Sequence, residues 1–348
     1  RNLEYGGKCV EVVPHIPEEV IRRIKNAALI AKADFVLVEI GGTVGEYQNM
    51  LFLEAARMLK LQEPSRVMLV LVSYLPVPKM VGEMKTKPTQ HAVRLLNSAG
   101  LQPDIILARS IVPLDEPRKR KISVFCNISE KDVISAPDAK FIYQIPLNFE
   151  KEKLSERILR KFRLKPKTEA VGEWEALCLR IVRSKKPVKI GIVGKYFETG
   201  SFILSDAYLS VIEAIKHAAW HLKRKPIIHW LNAEEYERNS AKLKDLSLYD
   251  GLIVPGGFGK RGVEGKLKAI RYVRENKIPF LGLCYGLQMA VVEFARNVCR
   301  LRGAHTTEIK PDTPHPVIHI LPEQAENLKE NKFGGSMRLG SYPCKLHP

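Results

Sequence analysis

The chain has 348 residues, enough for two domains with a core each, and its 45% hydrophobic and 27% charged content is that of a soluble globular protein. No apolar run is long enough to cross a membrane and no secretory leader opens the sequence; six cysteines (Cys9, Cys126, Cys178, Cys284, Cys299, Cys344) with no CxxC pair argue against a zinc site or a disulfide framework and fit a reducing cytoplasm. The net charge of +18 favours polyanionic partners, but the cations are spread through helical patterns with no zinc-finger or RNP signature, so phosphate-bearing small molecules are favoured over nucleic acid.

Arg1, not Met, opens the chain in mid-pattern, which reads as a piece of a longer product. Asp34–Ile40 has the pattern of a buried strand with Glu39 near its carboxyl end, followed by the turn Gly41-Gly42-Thr43-Val44-Gly45. Leu51–Leu61 is helical in period, Arg66–Tyr74 a strand, Thr89–Asn97 a helix stopped by Gly100, and Pro103–Arg109 a third strand. From Lys151 to Pro187 the sequence is charged and helical, with a linker placed at 164–186 between domains 1–163 and 187–348. The alternation then restarts. Strands are expected at Val188–Gly194, Pro226–Leu231 and Tyr249–Pro255, with helices from Ser205 to Leu222 and from Val263 to Asn276. The strand Ile278–Leu281 leads into Cys284, and a helix leads out through Met289–Ala295. Strands alternating with helices imply two α/β domains, each a doubly wound, mostly parallel sheet.

Gly282-Leu283-Cys284-Tyr285-Gly286 is a cysteine between two glycines where a strand turns sharply into a helix, the pattern of a nucleophile elbow with sulfur in place of the serine hydroxyl. The helix N-terminus favours thiolate there; the plain alternative is a small apolar cysteine at a helix start. Upstream, Pro255-Gly256-Gly257-Phe258-Gly259 follows a strand and could offer unhindered amides to an oxyanion. The pair suggests acyl transfer through a thioester. None of the nine histidines has a companion carboxylate in a convincing arrangement, so the proton shuttle is expected beyond Pro348. In the first half, Glu39 suits either a hard cation such as magnesium or a structural salt bridge. Lys85-Thr86-Lys87-Pro88-Thr89-Gln90, just before a helix, offers cations and amides for a nucleotide, although an isolated KxK is more often an exposed loop. Arg118-Lys119-Arg120-Lys121 reads as a solvated face from which one residue could point inward.

Taken in order, Val38-Glu39-Ile40-Gly41-Gly42-Thr43-Val44-Gly45, Lys85–His91, Val254–Gly265 and Gly282–Gln288 resemble the CTP synthase family across essentially the whole chain. The resemblance implies an amidoligase domain of P-loop type followed by a class I glutamine amidotransferase domain. ATP would phosphorylate O4 of UTP, and ammonia released from glutamine at a cysteine would displace the phosphate to give CTP. By motif, it implies Cys284 as nucleophile, with Gly257, Tyr285, Gly286, Leu287, Gln288 and Glu308 in the glutamine pocket. It places Glu46, Tyr47, Gln48, Lys85, Thr86, Lys87, Pro88, Thr89, Gln90 and Lys121 against UTP or CTP, and Arg109, Pro137, Asp138 and Ala139 against ATP. Glu39 would hold Mg2+, and GTP would act as an allosteric activator. The family's phosphate-binding loop and a second, aspartate metal ligand would lie upstream of Arg1, and its glutaminase histidine and glutamate downstream of Pro348, leaving this piece inactive alone.

Three departures stand out. Gly45-Glu46-Tyr47-Gln48 replaces the more usual Gly-Asp-Ile-Glu, which bears on CTP feedback. Thr199–Ile203 looks inserted, and Leu209 replaces a lysine tied to the GTP response. The resemblance further implies cytoplasmic homotetramers and filaments, and no nucleic-acid or membrane partner. Two rival readings are another glutamine-dependent ligase, disfavoured by the Lys85–Gln90 motif, and a non-catalytic scaffold or regulatory homologue, disfavoured by Cys284.

Overall fold

In a computed structural model, residues 6–7, 9–166, 171–194, 198–199, 202–203, 208–257 and 259–320 are described. The chain forms two compact units that divide between Cys178 and Leu179.

The first unit contains helix α1 (His15–Ala31), α2 (Met50–Gln62), strand β1 (Val70–Tyr74), α3 (Lys87–Ser98), β2 (Ile105–Ser110), α4 (Glu116–Cys126), β3 (Val133–Pro137), α5 (Ile145–Lys151) and α6 (Leu154–Lys161), and most of α7 (Val171–Arg183). Its strands form a parallel sheet in the order β1-β2-β3, with Val70 opposite Ile105 and Ile106 opposite Val133. Parallel neighbours need crossovers, and α3 and α4 supply them. Leu71, Leu75, Val93, Leu96, Ile106, Ile122 and Val133 close the core between this sheet and those helices. Asp115 caps α4 by accepting from the Arg118 amide, and Asn127 ends it in the left-handed region, so this helix has both its boundaries written in sequence.

One expected strand is absent. Residues 35–40 have no regular structure, and Phe35, Val36, Leu37 and Val38 are exposed, Leu37 at 96%. A buried strand requires neighbours on its backbone as well as apolar side chains. Among the described residues β1 pairs only with β2, and nothing pairs with 34–40. The apolar run therefore lies outside the sheet, with Phe35 edge-on to Phe162 and only Ile40 and Val44 reaching the core.

The second unit contains β4 (Lys186–Gly194), β5 (Glu198–Thr199), β6 (Phe202–Ile203), α8 (Leu209–His221), β7 (Arg224–Asn232), α9 (Ala233–Arg238), β8 (Gly251–Val254), α10 (Val263–Glu275), β9 (Phe280–Gly282), α11 (Tyr285–Asn297), β10 (His305–Thr306) and β11 (Pro316–Ile318). The main sheet is parallel throughout, in the order β7-β4-β8-β9. From β4 the chain first steps outward to β7, then returns past β4 to β8 and β9. With right-handed crossovers, that reversal puts α8 and α10 on opposite faces, which is double winding. The core of Val193, Leu252, Val254, Leu267, Ile270, Val273, Tyr285, Met289 and Val292 lies between the sheet, α10 and α11. The apparent insertion Thr199–Ile203 is represented by the antiparallel pairing of β5 with β6. Ser205, expected to cap the following helix, falls outside the described residues.

Candidate active site

Leu283 and Cys284 join β9 to α11, and Cys284 is the residue at the helix start. Parallel pairing sets Val254 opposite Gly282, and the Leu283 amide donates to the Val254 carbonyl at 2.9 Å. The chain must then reverse within two residues to start α11. Cys284 takes up the turn with φ 51° and ψ −108°, a region that L residues rarely adopt. The flanking glycines are sterically required: a Cβ on Gly286 would lie 1.9 Å from the Val254 carbonyl oxygen, and one on Gly282 would lie 2.7 Å from the Gly286 backbone. The result is an exposed thiol on a rigid corner at the carboxyl edge of the sheet.

The glycine loop after β8 runs beside that thiol. A Cβ on Gly256 would meet Cys284 Cβ at 3.5 Å and Sγ at 4.0 Å, so bare backbone approaches the sulfur. Farther along, the Gly259 amide donates to Glu308 Oε1 at 3.1 Å, and the Gly259 carbonyl accepts from the Tyr285 hydroxyl at 3.1 Å. The structure thus brings Cys284, Gly257, Tyr285, Gly286 and Glu308 to one edge. Leu287 is exposed and Gln288 half-buried on the first turn of α11, where the Gln288 amide donates to the Cys284 carbonyl. Tyr285 differs in kind from the others, because its side chain is buried at 2% exposure and turned into the core. Phe258, inside the motif, falls outside the described residues. Cys284 has no hydrogen-bonding histidine among the described residues; His319 instead pairs through Nδ1 with the Thr307 hydroxyl at 2.9 Å.

In the first unit, the candidate nucleotide residues lie beyond the carboxyl ends of the strands, where open α/β sheets bind ligands. After β1 the chain returns through the Lys85 amide, which donates to the Pro76 carbonyl, and enters α3 at Lys87, with Pro88 in its first turn. Thr86, Thr89 and Gln90 are buried. The Gln90 amide donates to Thr86 Oγ1 at 3.1 Å, and Thr89 shares a 2.8 Å hydrogen bond with Ser73 of β1. The Thr89–Ser73 bond ties the helix start to the sheet, the Gln90–Thr86 bond braces it from within, and the two lysines project. Lys85 pairs with Glu83 at 2.6 Å, and Lys87 stands 6.0 Å from the Phe125 ring centroid.

Glu83 reveals an unforeseen arrangement. Its carboxyl is held below the usual range chiefly by Lys85, with Arg118 and Lys121 adding to the effect. Arg118 also donates to the Met84 carbonyl at 3.2 Å. Of the four consecutive cations, Arg118 thus turns toward the Lys85 loop, Lys119 toward Glu152, and Arg120 and Lys121 are exposed. Lys85 and Lys121, assigned to one ligand by resemblance, both lower the pKa of the Glu83 carboxyl, Lys85 through direct contact and Lys121 through its charge alone.

Arg109, next to last in β2, lies opposite Ala136 of β3 and pairs with Asp138 at 3.2 Å, while the Asp138 amide donates to the Ser110 carbonyl. Arg109, Pro137, Asp138 and Ala139 are therefore gathered at one corner of the sheet. The turn 43–49 holds Glu46, Tyr47 and Gln48. Glu46 Oε1 accepts from the Thr43 amide at 2.9 Å, which holds that carboxyl below its usual value. Asn49 donates to the Thr43 carbonyl at 2.7 Å, and Tyr47 is 93% exposed. Glu46 is thus a brace of its own turn here. Glu39 is exposed on the segment that forms no strand, and no group of three His, Cys, Asp or Glu residues able to hold a metal occurs among the described residues. The described residues do not by themselves assemble a magnesium site.

Residues 1–164 match the family model described as CTP synthase N-terminus, and residues 203–347 match that described as glutamine amidotransferase class-I. The CTP synthase of Pyrococcus abyssi (strain GE5 / Orsay) is 49% identical over 347 residues, 99% of this chain and 62% of that protein. That of Carboxydothermus hydrogenoformans (strain ATCC BAA-161 / DSM 6008 / Z-2901) is 48% identical over 349 residues, 100% of this chain and 64% of that protein. A solved structure described as Trypanosoma brucei CTPS, glutaminase domain with bound acivicin, is 36% identical, covers 39% of this chain and 51% of its own, and superposes with a TM-score of 0.36, too low to bear on the fold. The chain spans 62% to 64% of the length of these curated relatives. With a strained cysteine elbow in one unit, a cation-ringed loop at the sheet edge of the other, and near-half identity along its whole length, the chain belongs to the CTP synthase family.

Proposed function

We propose that the protein of which this chain is part aminates UTP to CTP at the expense of ATP, using nitrogen taken from glutamine at Cys284. The observation that carries this reading is the Cys284 elbow with the Gly256-Gly257 backbone alongside its sulfur. In the glutaminase step the thiolate adds to the side-chain carbonyl carbon of glutamine. The carbonyl oxygen becomes an oxyanion within reach of backbone amides, ammonia departs with a proton, and the thioester is hydrolysed by water to glutamate. Glu308, tied to Gly259, would set the far wall of the pocket. In the synthetase step, Lys85, Arg118 and Lys121 would bind the triphosphate of UTP, and the Arg109–Ala139 corner would receive ATP. ATP phosphorylates O4 of the pyrimidine, ammonia adds at C4, and phosphate leaves. The +18 charge suits UTP and ATP, which are polyanions.

Magnesium, GTP activation, assembly into homotetramers and filaments, and a cytoplasmic setting belong to the same reading and rest on the family resemblance. No helix among the described residues is long and apolar enough to cross a membrane. The test is CTP formation by the full-length protein. Cys284→Ala is expected to abolish glutamine-driven synthesis and to keep ammonia-driven synthesis near the unsubstituted rate. Loss of both activities in a folded variant contradicts the assignment.

A further inference from the structure

The residue after the nucleophile is a tyrosine whose side chain faces away from solvent. Tyr285 is 2% exposed, and its hydroxyl donates to the Gly259 carbonyl at 3.1 Å. Against its ring, with Nζ 5.1 Å from the centroid, lies Lys266 of α10, itself 1% exposed. A lysine this deeply buried is unusual, and an aromatic face is one of the few surroundings that offset its lost hydration. Gly259 has φ 78°, a conformation suited to glycine, and both of its peptide groups are engaged: the carbonyl by Tyr285 and the amide by Glu308 Oε1.

This glycine closes the loop that begins at Pro255 and passes Cys284 at Gly256. The loop therefore has one end beside the sulfur and the other tied down by a side chain that follows the sulfur in sequence. A glycine-rich loop has many conformations of its own. Backbone donors accelerate acyl transfer only when they are already aimed at the place where negative charge develops. We propose that Tyr285 is a positioning residue for glutamine hydrolysis: its hydroxyl, with the ring held by Lys266, fixes Gly259 and so steadies the glycine turn that passes Cys284 at Gly256. This deepens the glutaminase reading and rests on it. The resemblance implies Tyr285 in the glutamine pocket; its phenol would act in addition on the loop.

Tyr285→Phe in the full-length protein keeps the ring on Lys266 and removes one hydroxyl. Loss of one hydrogen bond to an exactingly placed loop is expected to lower kcat for glutamine-driven synthesis by about tenfold. KM for glutamine should change less than kcat, because Glu308 keeps its bond to the Gly259 amide. Ammonia-driven CTP formation should be unchanged, and amide exchange at Gly256, Gly257 and Gly259 should accelerate. Lys266→Met, which keeps the packing and removes the cation, should shift both readouts in the same direction. The idea is overturned if Tyr285→Phe retains the unsubstituted glutamine kcat. It is equally overturned if the glutamine and ammonia rates fall together with the melting temperature, since that is a structural role alone. If the unsubstituted protein hydrolyses no glutamine, or Cys284→Ala still does, the glutaminase reading itself has failed; normal glutaminase with an indifferent Tyr285→Phe sinks only the tether.

Discussion

The backbone at Cys284 stores strain that function explains and stability does not. A β-carbon at φ 51° and ψ −108° costs on the order of 1–3 kcal/mol, held by the β9 and α11 contacts on either side. Glycine escapes most of that cost. Cys284→Gly is therefore expected to be more stable than Cys284→Ala by about 1 kcal/mol, despite glycine's greater chain entropy, as read from urea midpoints. Equal midpoints, or a less stable glycine variant, would mean that the elbow is relaxed. The elbow was legible from its two glycines and its strand-to-helix context. The Tyr285 hydroxyl, the burial of Lys266 and the role of Glu83 were not. Each depends on which of several rotamers a long side chain adopts against residues far away in sequence, and no local pattern encodes that. His305 carries a second residue-scale expectation. It is 5% exposed, and its Nδ1 accepts from the Thr306 amide at 2.9 Å. Burial pushes its pKa below 6.5, Arg296 and Lys310 push the same way, and Glu264 opposes them. A folded pKa below the unfolded one makes the unfolded state bind more protons. The stabilisation from neutral His305 is complete above about pH 6.5 and is lost as pH falls through the folded value. Melting temperature should drop between pH 7.5 and 5.5, and His305→Asn should flatten that drop. An unchanged slope in the variant assigns the pH response to other groups.

Elements were legible where period and capping agreed. The helices Met50–Gln62, Lys87–Ser98 and Val263–Glu275 appear within two residues of the expected bounds, and so do most strands of the second sheet. The strand Val133–Pro137 went unread because it is short and its burial depends on a sheet assembled elsewhere. Asp34–Ile40 failed in the opposite sense: its composition suits a central strand, but strand formation is a property of a pair. The α10–α11 pair behind the nucleophile is more self-sufficient. Glu293, 1% exposed on α11, takes two hydrogen bonds from Arg274 of α10, Oε1 at 2.8 Å and Oε2 at 2.9 Å, and Asn297 adds a third. The Arg274 pKa is raised by this pairing. Removing one partner leaves a charge half-stranded. Glu293→Ala should cost about 2–3 kcal/mol, less than for a fully buried pair because Arg274 retains some solvent. Replacing both residues, Arg274→Met with Glu293→Leu, should recover most of the loss. If the double variant is no better than Glu293→Ala, the helices are joined by packing and the ion pair is incidental.

At the scale of the whole chain, the excess of cations has opposite consequences for folding and for binding. The chain carries 56 Lys+Arg against 38 Asp+Glu, and most of the ion pairs seen have at least one partner well exposed to solvent. Exposed pairs contribute little, so screening them loses little. Like-charge repulsion across a surface of +18 is a long-range sum, and salt cuts it off once the Debye length falls to about 10 Å near 0.1 M. Potassium chloride raised from about 0.02 M to 0.3 M should therefore increase the melting temperature of this chain. The same screening acts on the cations around Glu83. There a triphosphate must compete with an internal carboxylate already paired to Lys85 at 2.6 Å, and the attraction that draws it in is partly the field of the whole surface. UTP affinity of the full-length protein should thus weaken over the interval in which the chain gains stability. A sodium sulfate series at matched ionic strength separates the causes: general screening moves both quantities as chloride does, whereas an anion lodging at Lys85 and Arg118 weakens UTP further. If the melting temperature falls with salt, the exposed ion pairs outweigh the net repulsion, and the cationic excess is local to its binding sites.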